Sequence, residues 1–248
     1  MRKSILFLCL SIVLLAESGE KVAKQAYEKI SGYESSISKT TMVLKNVQGD
    51  ENIRKLEMKK LENKNGDKSL LLFLYPNDLK GTKLLSYEVI GRDDKQWLYL
   101  PALKRVKRIS SRNKSGSFMA SEFSYEDISS QNYQNYTYPK DAKKVSKDGV
   151  EYFEVLRVPK DKHSGYSKQM IYIDIKENLA RFGEYFDKQN RLLKKISFQN
   201  YVLLDGVYRV HKIMIKNVQN KKESTLTWDD DTIKVGLSKK DFSKRILR

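Results

Sequence analysis

Residues 68–109 read KSLLLFLYPNDLKGTKLLSYEVIGRDDKQWLYLPALKRVKRI, and the period of this stretch decides the fold. Strand-like runs fall at Lys68–Tyr75, Thr82–Ile90, Gln96–Leu100 and Lys104–Ile109. The gaps between them carry turn chemistry in Pro76-Asn77-Asp78, Gly91-Arg92-Asp93-Asp94 and Pro101-Ala102. Strands joined by so few residues pair antiparallel, because a parallel return needs a crossover of about a dozen residues or more. The same rhythm runs upstream through Ile37–Lys45 and Ile53–Glu62. Downstream it covers Ala142–Arg157, two strands joined at Lys147-Asp148-Gly149. It continues through Lys168–Ile175, Leu179–Phe186, Arg191–Asn200, Val207–Asn217 and Glu223–Val235. Roughly a dozen strands are too many for a flat open sheet. The expected fold is mainly β, a strongly curved antiparallel sheet forming an incomplete β-barrel, covered by a few helices.

Helical spacing is confined to short pieces. Val22, Ala26, Ile30 and Tyr33 repeat at helix period, with Ala23 and Tyr27 widening the stripe and Gly32 placed to end it. The excursion after Ser110 breaks the strand rhythm, and Phe118–Ile128 is aromatic and partly helical in pattern. Beyond it, Tyr133, Tyr136 and Tyr138 stand in a polar setting that suggests an exposed, lid-like stretch. Ser238 and Asp241 have capping-box spacing, which predicts a short last helix through Leu247.

The start of the chain sets the expected compartment. Met1-Arg2-Lys3 is basic and Ser4–Leu15 is almost wholly apolar. That run is about a dozen residues where a spanning helix needs about 20, so 1–18 reads as a signal peptide cleaved after Ala16 or Ser18. A single domain over 19–248, exported to the periplasm, is the expectation. The whole chain carries 48 Lys+Arg against 31 Asp+Glu, a net charge of +17, and 10% aromatic residues. The aromatic content supports a packed core. One cysteine (Cys9) and two histidines exclude a disulfide scaffold, a cysteine-rich zinc site and an iron–sulfur cluster. In an exported protein the basic surface meets lipid headgroups or an acidic partner and not nucleic acid.

Residues that could carry catalysis are sparse. There is no G-x-S-x-G elbow, phosphate loop or H-E-x-x-H. His163 lies in a lysine-rich loop and His211 in mid-strand, and a triad through either is a distant alternative. Asp229-Asp230-Asp231 reads as a hairpin turn, and adjacent Glu126 and Asp127 point in different directions. The sequence reads as a binding protein, with no catalytic residue, metal or cofactor assigned.

Two kinds of binding surface are legible. Leu70–Tyr75 and Trp97–Leu100 are apolar on both strand faces, and such strands need cover on both sides. That cover is either an ordinary core or a lipid-sized cavity, which makes Leu72, Phe73, Leu74, Trp97 and Tyr99 cavity candidates. Phe118, Met119, Phe123 and Tyr125 are either a gate at the cavity mouth or a fixed loop that finishes the core. Lys104, Arg105, Lys107 and Arg108 surround a single Val106, so both faces of that strand are cationic. They suit a headgroup or an acidic partner, or a solvated edge protected from aggregation.

Three blocks carry a family resemblance: residues 74–87 (LYPNDLKGTKLLSY), 94–109 (DKQWLYLPALKRVKRI) and 114–127 (KSGSFMASEFSYED). In this order they resemble the LolA-like outer-membrane lipoprotein-sorting proteins, in a branch separate from the lipoprotein carrier itself. The resemblance implies an incomplete barrel closed by helices that holds acyl chains of a lipid or lipoprotein. It also implies a periplasmic shuttle, taken as a monomer, paired with an inner-membrane exporter of the resistance-nodulation-division type. It transfers no catalytic residue, and it tips the both-face apolar strands toward cavity lining. The alternative is an accessory protein that binds the exporter through its basic strand and carries nothing. A void beneath the first helix discriminates the two.

Overall fold

The computed structural model describes residues 17–129 and 131–247. The signal-peptide expectation and Cys9 therefore lie outside the described residues, apart from Glu17 and Ser18.

Fourteen strands form among the described residues. The first six are β1 (Ser35–Lys45), β2 (Glu51–Leu61), β3 (Lys68–Tyr75), β4 (Lys83–Tyr87), β5 (Lys95–Leu100) and β6 (Arg105–Ile109). Next come β7 (Tyr136–Thr137), β8 (Lys143–Lys147), β9 (Val150–Pro159) and β10 (Lys168–Asp174). The last four are β11 (Ala180–Phe186), β12 (Leu192–Leu204), β13 (Val207–Asn217) and β14 (Glu223–Ile233). Only the two-residue β7 has no counterpart in the sequence reading. Every pairing is antiparallel, and the order is β6-β5-β4-β3-β2-β1-β14-β13-β12-β11-β10-β9-β7, with β8 also on β9. The ends of this path, β6 and β7, do not pair, so the barrel is left open. Side chains from β2 and from β9 to β14 line one common cavity, which requires the sheet to wrap around it.

One α-helix, α1 (Gly19–Ile30), lies across the concave face. The Ser18 hydroxyl caps it by accepting the Lys21 N–H at 3.2 Å, and Val22 is fully buried. Strand alternation sends Met42, Leu56, Leu71, Phe73, Leu84 and Leu98 into the same concave core. Each fully buried side chain of this kind stabilises by about 1.5–3 kcal/mol. The convex face carries a second, smaller cluster of Leu85, Trp97, Phe242 and Leu247. Its cover is the C-terminal segment, which forms 3-10 turns at Lys239–Phe242 and Lys244–Leu247 where a helix was expected. The capping box at Ser238 and Asp241 is present.

Three other expectations are corrected. Phe118–Ile128 is not helical: Met119 and Ala120 both take left-handed φ, at 51° and 62°. The Asp127 carboxylate accepts the Ser124 N–H at 2.8 Å, a local bond that competes with a helix. Tyr136 is not lid-like; it is buried, with the Arg157 guanidinium 4.0 Å from its ring centre. Asp229-Asp230-Asp231 is no hairpin turn but part of β14, where a register shift opposite Lys39 and Thr40 bulges the ladder. That bulge turns Asp231 inward to Arg209.

Candidate functional site: a cavity between the helix and the curved sheet

The cavity measures about 270 Å³ and opens in part to solvent. Its floor is the concave face, built from alternate positions of ordinary half-buried strands: Val155, Ile171, Ile173, Ile196, Phe198, Ile213, Leu226 and Trp228. Its roof is α1, through Ala23, Ala26, Tyr27 and Ile30. The helical stripe of the sequence therefore faces a void that it does not fill.

One end of the cavity is polar. Lys60, on the concave face of β2, lines it together with Asp67, Glu88, Tyr33 and Arg209. Arg209 is committed to Asp231, with Nε and an Nη donating at 2.8 and 3.2 Å, and its guanidinium lies 4.6 Å from the Tyr33 ring centre. Asp67 accepts the Asn63 N–H at 3.1 Å and the Tyr33 hydroxyl at 3.4 Å. Glu88 accepts the Asp67 N–H at 2.9 Å and an Asn135 amide N–H at 2.7 Å. Burial raises the carboxyl pKa of both Asp67 and Glu88, and burial together with nearby Arg209 lowers that of Lys60. Gly66 makes this corner possible: its φ is +112°, and a Cβ there would meet the Glu88 carbonyl at 2.4 Å.

Beside the cavity the 114–128 excursion is fastened down. Asp127 forms a buried ion pair with Lys194 at 2.7 Å and accepts the Tyr166 hydroxyl at 2.8 Å. Glu126 accepts the Ser164 hydroxyl at 2.6 Å and the Gly165 N–H at 2.8 Å. Burial and the neighbouring Asp127 charge still push the Glu126 carboxyl up to about 7. Glu122 holds Asn217 at 2.8 Å, and Arg54 donates to the Met119 carbonyl.

The structure distributes the residues singled out in the sequence over three places. Of the nine apolar candidates, Phe123 lines the cavity. Phe73 and Phe118 are fully buried beside it, with ring centres 5.9 Å apart, and Met119 and Tyr125 pack on that core. Trp97 and Tyr99 correct the expectation, because they stand on the convex face under the C-terminal turns. Leu72 shares the face of Leu70, also away from the cavity, and Leu74, unpaired at a register shift opposite Lys55 and Leu56, is exposed. Lys104, Arg105, Lys107 and Arg108 are all exposed at β6, an edge of the sheet. His163 sits in the loop before Tyr166, and His211 lies 3.5 Å from Asp231 beside the Arg209 pair. The sequence reading missed Lys60 and Arg209, whose cavity-facing positions could be found only from the register of β2 and β13.

An open antiparallel sheet wrapped around an apolar void, with one helix as its roof, defines a LolA-like fold. A LolA superfamily protein from Nitrosomonas europaea shares it at a TM-score of 0.76 and 18% identity, over 93% of this chain and 99% of that one. A family model described as "uncharacterized protein" matches residues 65–248, and the chain belongs to that family, DUF1329. An outer membrane lipoprotein-sorting protein domain from Vibrio parahaemolyticus is 40% identical, with a TM-score of 0.88 over 92% of this chain and 97% of that one. A DUF1329 family protein from Desulfovibrio piger is 28% identical, with a TM-score of 0.86 over 93% and 98%. No curated protein matches the sequence.

Proposed function

We propose that this protein is a periplasmic, monomeric carrier that holds acyl chains of a lipid or lipoprotein and shuttles them toward the outer membrane. The observation that carries this reading is the apolar void under α1, which an accessory protein that binds nothing would not need. The lipoprotein-sorting description of the 40%-identical Vibrio relative supports it. Acyl chains are held by buried area, at about 25 cal/mol per Å², and leave by handover and not by hydrolysis. Thus no residue is assigned a catalytic role.

The surface that meets membrane or exporter is the edge around β6. Lys104, Arg105, Lys107 and Arg108 supply the charge there. The β1–β2, β3–β4 and β5–β6 hairpins share that end of the sheet, and Val47, Ile53, Leu74, Tyr75 and Leu103 are exposed on them. Cations with protruding apolar side chains suit an anionic bilayer surface or the periplasmic part of a resistance-nodulation-division exporter. Native mass spectrometry of the protein purified gently from its own periplasm tests the carrier reading. Co-purified lipid or acylated peptide is expected, and a uniformly ligand-free spectrum would sink it.

A further inference from the structure

We propose that the cavity selects acyl chains bearing an anionic headgroup, and that Lys60 receives that group. This rests on the carrier reading and names its ligand class. Strand register places Ser36, Lys60, Ser69, Ser86 and Gln96 in one row across β1 to β5, all on the concave face. The row has one cation at its centre and hydroxyls on both sides. Lys60, Ser69 and Ser86 reach the cavity directly.

The neighbouring charges are already spoken for. Arg209 binds Asp231 through two hydrogen bonds and reaches Ser36 at 3.3 Å. Asp67 and Glu88 each accept two hydrogen bonds from their own corner. Among the described residues, the Lys60 ammonium has no hydrogen bond and no ion pair; only longer-range attraction from Asp67, Asp231 and Glu88 compensates it. An ammonium has three donors, and half-buried Lys60 presents them at the cavity without a protein partner. A carboxylate or phosphate at the end of an acyl chain would take those donors while its chain lies along Ile213, Phe198 and Ile196. An uncharged chain end would leave them empty. Hydrogen bonds to a charged group are worth about 1.5–3 kcal/mol, so the preference for the anion is about tenfold or more.

The test compares hexadecanoate with hexadecanol, and lysophosphatidate with monoacylglycerol, by isothermal titration at neutral pH. Wild-type protein is expected to favour each anion about tenfold. Lys60→Met is expected to bring each pair within about twofold, and Lys60→Arg to keep the preference. A wild-type circular dichroism spectrum and a cooperative urea transition certify that the Met variant is folded. A preference that survives in Lys60→Met, or that the wild type lacks, overturns the proposal and leaves the carrier reading standing. Wild-type protein that binds none of the four chains overturns the carrier reading itself. Whichever anion binds more tightly identifies a fatty-acid carboxylate or a phospholipid phosphate as the headgroup.

Discussion

The strands β3 to β5 and the strands β9 to β13 use apolar residues in opposite ways. In β3, Leu71 and Phe73 enter the concave core while Leu70 packs on the convex cluster. In β5, Leu98 goes inward and Trp97 outward, where Phe242 and Leu247 cover it. The Tyr87 hydroxyl donates to the Phe242 carbonyl, Lys83 donates to the Ile246 carbonyl, and Lys244 lies 4.3 Å from the Trp97 ring centre. The apolar side chains of this half are packed on both faces, and it reaches the void only through Lys68, Ser69 and Ser86. The opposite half is plainer in sequence, yet its concave apolar face lines the void. Apolarity on both faces therefore marks a strand covered twice, and a cavity wall needs only one apolar face with too little opposite it.

The sharpest way to break this contrast is to empty the filled half. Phe118 and Phe123 are packed against Phe73 and the concave core, and the segment that bears them is tied at Glu122, Glu126 and Asp127. A gate would need to leave; these rings belong to the core. Phe118→Ala and Phe123→Ala should each cost about 3–5 kcal/mol, the range for aromatic truncation in packed interiors. Chemical denaturation measures the loss. A variant that melts like wild type and exchanges lipid faster would instead restore the gate.

A smaller effect comes from the carboxyl that closes the loop. Glu126 has its folded pKa raised to about 7, above the ordinary glutamate value near 4.5, so the folded state binds its proton more tightly than the unfolded state. The stability linked to that proton is full below about pH 4.5 and is lost as pH rises through about 7. Asp67, Glu88 and Asp94 are shifted in the same direction, mainly by burial, and add to the same slope. Glu126→Gln should flatten the decline, by about 3 kcal/mol at most. Urea midpoints between pH 4.5 and 7.5 measure it, and identical slopes in both proteins would contradict the assignment.

The contrast also explains what could be read beforehand. Strand positions from Ser35 to Ile109 were legible because alternation and turn residues are local properties. The loop at 118–128 was not, because its helix-like spacing is overridden by consecutive left-handed residues and by Ser124–Asp127 bonds. The cavity lining was not legible either. Ile171 or Ile196 reads the same whether a side chain or a void stands opposite, and that depends on where α1 lands.

The smallest expected change in stability comes from filling the void, and it bears most directly on function. Ala26 faces the cavity from the middle of α1 and is only half-buried. Ala26→Phe places a ring in existing space, so no core residue must move, whereas overpacking a filled core typically costs about 1–3 kcal/mol. The added area is apolar and leaves water, which offsets the slightly poorer helix propensity of Phe, and the net change should stay within about 1 kcal/mol. A phenyl ring occupies a large share of a 270 Å³ cavity, and an acyl chain would lose that length of contact. Binding of a fluorescent fatty acid should fall at least tenfold, which corresponds to about 1.4 kcal/mol. The matched control is Leu74→Phe at the exposed end of β3, which should leave both melting and binding unchanged. Equal binding by Ala26→Phe and wild type, with both folded, would place the chain somewhere other than under α1 and return the greasy strands β3 to β5 as the candidates.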